Sequence, residues 1–533
     1  MAGGVASAAR ALVLLQLGVR VVTFCLNQVL VRATPPAVYG AANVQLDVVL
    51  SVVLFTIRDS VRSVALRRGP ARVHDIALLA VPVGAAVAAG MGYVYMHALL
   101  PAELAAYGRA VEVSVALYYV GAVLELASEP LLVSRVGSDA FVGVRVAMEG
   151  AGVLVRACVT AALLTPAGLS AIAEHVLGGA PRAGAPLVAY GVGRAVYGAA
   201  VLCAAIGGVR AAVASMVRAY VPRWELDRET GALVGNTVVQ ALAKQVLAEG
   251  DKLVVARLAP LREQGGYALA SNYGSLAARV LFQPVEESAR LYLSGAPCAR
   301  DAAALLHTLL HAHVLFALAV VAFGPPLAQA ALVVLAGRAW AFDGAAPSGA
   351  SRVLARYCYY LPVMGINGIV EAYMQSCASP RVLARYSYAL FAASGVFGAA
   401  LWVLRRWYAA EDALIGANAL ALAVRAGVSW VWLVRHVRRA DAAAARQVGV
   451  AAVLPRAYVL GVYVFVAVVV RRVAEPLEAG APVSGAVLRM AATAAAGVAL
   501  VGGAIAVELR GGLSARGGGT RGGGRALPSR APA

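Results

Sequence analysis

Charge is scarce in this 533-residue chain: 14% of residues are charged and 61% are hydrophobic. Soluble domains run near about 25% charged and about 45–50% apolar. So much apolar surface excludes a soluble fold, and the scarcity of charge excludes a disordered chain. Lysine is nearly missing, with only Lys244 and Lys252. Six cysteines (Cys25, Cys158, Cys203, Cys298, Cys358, Cys377) show no CxxC spacing, which argues against a disulfide framework or a zinc site. There is no GxxxxGK[ST] loop to cradle nucleotide phosphates, and no GxSxG elbow or HExxH helix. His307, His311 and His313 form HxxxHxH without a matched carboxylate and are read as helix-end polar residues. No metal and no cofactor are expected, and the chain reads as a non-enzyme.

What is present is a series of long apolar runs. A membrane-crossing helix needs about 20 mostly apolar residues. Fourteen candidates lie near 8–31, 38–57, 74–98, 108–128, 141–164, 184–209, 231–256, 264–293, 302–324, 353–374, 384–404, 413–434, 447–470 and 484–508. The seventh, eighth and tenth are the least apolar. Most runs are apolar all round, as for helices within a bundle, and the period-two alternation of a membrane barrel is absent. The expected fold is an all-α polytopic membrane protein of about 14 helices.

The chain carries a net charge of +19. Loops after even-numbered spans, with the C-terminal tail, hold 22 arginines, against 11 in the odd loops. The bias toward cytoplasmic Lys and Arg predicts cytosolic termini. The Gly/Arg-rich stretch 511–533 is expected to be a disordered tail that orients the chain and does not bind nucleic acid.

An internal repeat is visible. Leu54–Leu66 (LFTIRDSVRSVAL) and Leu281–Leu293 (LFQPVEESARLYL) share Leu-Phe, a charged cluster and Ser-x-Arg, which sets Ser60 and Arg62 on Ser288 and Arg290. An offset of six spans makes the copies parallel repeats about an axis along the membrane normal. The implied organisation is a six-helix lobe over 1–209, a cytosolic linker over 210–230, a second six-helix lobe over 231–440, and two further helices over 441–510, with a central cavity between the lobes.

Charges inside spans cost about 2.5–3.5 kcal/mol each and usually face a cavity or a partner. Arg20 lies in the first span. Glu125 and Glu129 are four apart in the fourth, and so on one helical face. Arg145 and Glu149 are spaced to pair in the fifth. Lys252 lies in the seventh, Arg279, Glu286, Glu287 and Arg290 in the eighth, and Asn367 and Glu371 in the tenth. The planar arginine fork suits phosphate oxygens, so an anionic cargo such as a diphosphate is expected.

Four segments carry a family resemblance: Phe24–Arg62, ELASEP at Glu125–Pro130, LAEGDKLVV at Leu247–Val255 running on to NYGSLAARVLFQPVEESAR at Asn272–Arg290, and INGIVEAYM at Ile366–Met374. The chain resembles the eukaryotic endoplasmic-reticulum oligosaccharide translocation proteins, the Rft-type members of the multidrug/oligosaccharidyl-lipid/polysaccharide exporter superfamily. The resemblance implies two six-helix lobes plus two helices in the endoplasmic-reticulum membrane. It also implies movement of Man(5)GlcNAc(2)-PP-dolichol from the cytosolic to the lumenal leaflet for protein N-glycosylation. On that reading Arg20, Arg32, Arg58, Arg62, Arg145, Lys252, Arg279 and Arg290 are candidates to engage the diphosphate or line its route. Glu125, Glu129, Glu149, Glu286, Glu287, Asn272, Gln283, Asn367 and Glu371 are candidates to gate or balance charge. The expected partners are the dolichyl-diphosphate oligosaccharide lipid and the membrane, with oligomeric state open. Three rivals stay open at this point: a small-molecule antiporter on the same fold, a membrane glycosyltransferase, and a non-transporting accessory protein of lipid-linked oligosaccharide assembly.

Overall fold

A computed structural model describes residues 24–68, 70–134, 140–179, 182–207, 220–223, 228–294, 299–473 and 482–517. The long helices, in chain order, are α1 (Asp47–Arg68), α2 (Pro70–Val94), α3 (Arg109–Ala127), α4 (Ala140–Leu163), α5 (Ala185–Gly207), α6 (Arg228–Leu258), α7 (Leu261–Ala277), α8 (Gln283–Ser294), α9 (Ala299–Leu335), α10 (Gly349–Cys377), α11 (Pro380–Leu404), α12 (Ala410–Ala440), α13 (Ala457–Val473) and α14 (Val483–Gly517). Among the described residues the only strands are a two-residue hairpin, Phe342–Asp343 with Ala346–Pro347.

Among the described residues, eight helical segments are long and apolar enough to cross a membrane, or nine if one bent pair is a single span. The bent pair is Met148–Leu163 with Pro166–Val176, at 77°. Pro166 cannot donate a backbone bond to continue α4, and Thr165 Oγ1 instead caps the new helix by accepting from Gly168 N at 3.2 Å. The ranges 231–256, 264–293 and 353–374 are largely helical but fall outside that apolar set. Their charges and amides are the reason. In the thirteenth range α13 has 17 residues, short of the about 20 that a span takes. Most of the first range lies outside the described residues. α14 continues to Gly517, into the stretch expected to be a disordered tail; residues 518–533 lie outside the described residues.

The chain divides into two compact units, Met1–Leu269 with Leu335–Trp340, and Ala270–Val334 with Ala341–Ala533. In the first, α5 packs on α3 and α4 through small residues. A Cβ at Gly121 would stand 2.5 Å from the Arg194 carbonyl oxygen, and one at Gly198 would fall inside contact distance of the Gly121 carbonyl. Such small-residue crossings let helix backbones meet in a bilayer, where no hydrophobic force drives helices together. Gly198→Val is therefore expected to lower stability by about 1–3 kcal/mol, read as a fall in Tm in detergent. An unchanged Tm would show that the helices do not cross this closely.

A polar layer ties the residues before α1 into the same unit. Gln45 Nε2 donates to Ala256 O at 2.7 Å and to Gln264 Oε1 at 2.9 Å, while Tyr118 OH donates to Ala42 O at 3.1 Å. Fully buried Trp340 donates to Val31 O at 2.9 Å and packs edge-on to Tyr39.

The second unit is centred on Leu293, Leu306, Leu310, Val370, Leu433 and Val437, contributed by α8, α9, α10 and α12. α13 packs on α9 through Val459, Tyr463 and Leu315. The histidines of HxxxHxH donate to backbone carbonyls: His307 to Gln447 at 3.0 Å, His311 to Val453 at 2.9 Å and His313 to Pro362 at 3.0 Å.

Where α12 ends, Asp441 caps the next short helix, accepting from Ala443 N at 2.8 Å and Ala444 N at 3.0 Å, while Arg300 donates to its other oxygen at 2.9 and 3.0 Å. The Ala444 amide first, then Arg300, holds the Asp441 carboxyl below its usual range. A depressed carboxylate pKa adds stability above the unfolded value that is lost as pH falls through the folded one. Wild type is thus expected to lose Tm relative to Asp441→Asn as pH falls below about 4. A difference that stays constant with pH would contradict the cap.

Candidate functional site: a buried guanidinium–carboxylate cluster

Arg58 and Arg62 are four apart on α1, so they lie one turn above the other on one face. Glu125 and Glu129 have the same spacing where α3 ends. Pro130 lacks the N–H that would carry α3 straight on; α3 stops at Ala127, Ser128 Oγ donates to Glu125 O at 2.7 Å, and a short helix, Glu129–Val133, begins. That break leaves both carboxylates buried, at 3% and 1% exposure.

The two faces meet in register. Arg62 forms a two-point fork on Glu129, with Nε to Oε2 at 2.9 Å and Nη2 to Oε1 at 2.5 Å. Arg58 Nε stands 2.7 Å from Glu129 Oε1, and its Nη1 pairs with Glu125. Arg194 on α5 closes the cluster: its Nη2 donates to Glu125 Oε2 at 2.8 Å while its guanidinium stacks 5.0 Å from the Tyr197 ring. Three guanidinium groups thus share two carboxylates. Glu149 lies within electrostatic range of Arg58. Arg194 Nε is buried without a hydrogen-bond acceptor. A set of forked donors, two half-buried and one buried with an N–H to spare, suits a multiply charged oxyanion.

The model of the Rft protein family matches residues 4–508. The chain belongs to the Rft family. Among its relatives are the Man(5)GlcNAc(2)-PP-dolichol translocation proteins RFT1 of Yarrowia lipolytica, 28% identical over 488 residues that cover 81% of this chain and 70% of the relative, and of Mus musculus, 28% identical over 451 residues that cover 77% and 78%. Among solved structures, the lipid II flippase MurJ in an inward closed conformation aligns at a TM-score of 0.53 with 11% identity, over 86% of this chain and 96% of that one. This Rft chain therefore shares that fold.

The second unit of the Rft chain holds a related set. Glu371 on α10 accepts from Asn367 Nδ2 at 2.9 Å, Gln375 Nε2 at 3.1 Å and Arg425 Nη2 at 3.1 Å. Glu286 on α8 lies 4.0 Å from Arg290 and is packed so closely on Gly368 that a Cβ there would collide with its carboxylate. In the repeat alignment Arg62 matches Arg290, while Arg58 matches Glu286, so the sign of that member is reversed.

The other candidates are dispersed. Arg32 is exposed and donates to Leu335 O at 2.8 Å. Lys252 and Asn272 are half-buried on α6 and α7. Gln283 donates to the exposed Glu287 at 3.0 Å. Arg20 and the side chains of Arg145 and Arg279 lie outside the described residues, and with Arg145 the expected pair with Glu149. Two members escaped the sequence reading, Arg194 and Arg425. Each is a lone arginine within an apolar run, the sixth and the twelfth, and the charge-in-span criterion applied to those runs finds both.

Proposed function

We propose that this chain translocates Man(5)GlcNAc(2)-PP-dolichol from the cytosolic to the lumenal leaflet of the endoplasmic-reticulum membrane, ahead of protein N-glycosylation. The observation that carries the reading is the cluster of Arg58, Arg62 and Arg194 on the buried Glu125 and Glu129, in a chain of the Rft family. The cargo's only charge is its diphosphate, and a planar arginine fork matches adjacent phosphate oxygens. In this reading Glu125 and Glu129 hold the forks while no cargo is bound. The diphosphate takes their place, and the carboxylates reclaim the arginines on release. That exchange keeps the guanidinium groups paired at every stage, and the displaced carboxylates must take up protons or other donors, because an uncompensated buried charge is costly.

The finer architecture belongs to the same proposal: fourteen spans arranged as two six-helix lobes over 1–209 and 231–440, with two added helices over 441–510, cytosolic termini, and alternating access between the lobes. Arg20, Arg32, Arg145, Lys252, Arg279 and Arg290 then line the entry and exit route.

The experiment is depletion of the chain in its own cells. The reading expects accumulation of the Man(5)GlcNAc(2) lipid and under-occupied N-glycosylation sites, both reversed by wild type and not by Arg62→Ala. Normal site occupancy on depletion would refute it.

A further inference from the structure

Arginines of the odd loops run against the charge bias that orients the chain, so a concentration of them calls for a partner. Five of those eleven, Arg352, Arg405, Arg406, Arg471 and Arg472, come from α10, α13 and the α11–α12 turn of the second unit. Contacts join these elements. Arg356 stacks 5.5 Å from the Tyr408 ring, and its Nε lies 3.0 Å from Asp412 Oδ1. One turn along α10, Tyr359 OH accepts from Arg471 Nη2 at 2.8 Å. Arg352, Arg405, Arg406, Arg471 and Arg472 are all exposed.

The α11–α12 turn joins two spans, Arg381–Leu404 and Ala410–Ala440, so residues 405–409 sit at the membrane–water boundary. Trp402 and Trp407 are 63% and 69% exposed there, the position at which indole rings settle among lipid headgroups. The acids of the turn, Glu411 and Asp412, are buried at 0% and 8% exposure and leave the outer face basic. The Arg406 guanidinium lies 3.8 Å above the Trp402 ring. That covers a ring face a sugar would need for stacking and points the site toward phosphate.

We propose that this basic, tryptophan-flanked rim binds the headgroup of an anionic phospholipid of the surrounding bilayer. The arginines take the phosphate and the indoles bracket the glycerol region. Charge complementarity and the position at two span ends select that occupant. The site shares no residue with the cluster of the first unit and does not depend on the cargo.

The test reconstitutes the full chain in phosphatidylcholine vesicles carrying a low, equal fraction of brominated phosphatidylserine or brominated phosphatidylcholine, and reads tryptophan quenching. The brominated anionic lipid should quench more. Apparent selectivity should drop on the order of fivefold for each arginine removed in Arg405→Ala/Arg406→Ala, and should persist in Arg405→Lys/Arg406→Lys. Trp402→Phe/Trp407→Phe should remove the excess signal. Equal quenching by the two lipids, or an excess that survives Arg405→Ala/Arg406→Ala, would overturn the proposal. So would displacement of the brominated anionic lipid by dolichyl diphosphate at a lower mole fraction than phosphatidylserine needs, since the rim would then belong to the cargo.

Discussion

Glu129→Ala is expected to destabilise the protein by about 3–5 kcal/mol, the cost of removing one partner from a buried ion pair. Glu129 is 1% exposed and is approached by two guanidinium groups, those of Arg58 and Arg62. Without it Arg62 loses both hydrogen bonds of its fork, and Arg58 keeps only Glu125, which Arg194 also occupies. Glu129→Gln should fall between, because an amide still accepts one bond but cannot balance the charge. The measurement is thermal or denaturant unfolding in detergent. A Glu129→Ala protein as stable as wild type would show that the arginines do not rely on this carboxylate.

Arg62→Ala/Glu129→Ala separates stability from transport. Removing both partners takes away the uncompensated charge, so the double variant should recover most of the stability that Glu129→Ala loses. Transport should not recover, because the fork that receives the diphosphate has gone. Losing a desolvated charge pair costs about 2–5 kcal/mol in binding, which predicts at least about a thirtyfold loss of cargo affinity. A double variant that folds and transports at the wild-type rate would reduce Arg62 and Glu129 to a structural clasp.

The i,i+4 spacing of Glu125 with Glu129 puts that pair on one helical face and was legible from residue type and period alone; Arg58 and Arg62 read as loop residues after the 38–57 span, whereas the helix runs on through both to Arg68. That the arginine and carboxylate faces meet was not legible. Partner choice depends on which helices become neighbours and in what register, and one sequence of apolar runs carries no such distance information. Arg194 shows the same limit from the other side: its run is apolar enough to read as an ordinary span, and its role becomes clear only where α5 crosses α3 at Gly121 and Gly198. The repeat was legible at Ser60/Arg62 and Ser288/Arg290, read with matching charged clusters, although it sets Glu286 against Arg58. The consequence was not, since the second set is built around Glu371 and Arg425, in other spans. The ranges 231–256, 264–293 and 353–374 read as the least apolar, and their helices do carry the polar residues that keep them out of the apolar set.

The central claim is that the chain itself moves the lipid through the buried arginines. The direct measurement is translocation of a short-chain Man(5)GlcNAc(2) diphosphate lipid across liposomes holding purified wild type, Arg62→Ala/Glu129→Ala, or no protein. The account predicts rapid translocation with wild type alone, and a double variant indistinguishable from empty vesicles despite normal folding. Wild-type vesicles that translocate no faster than empty ones would contradict it.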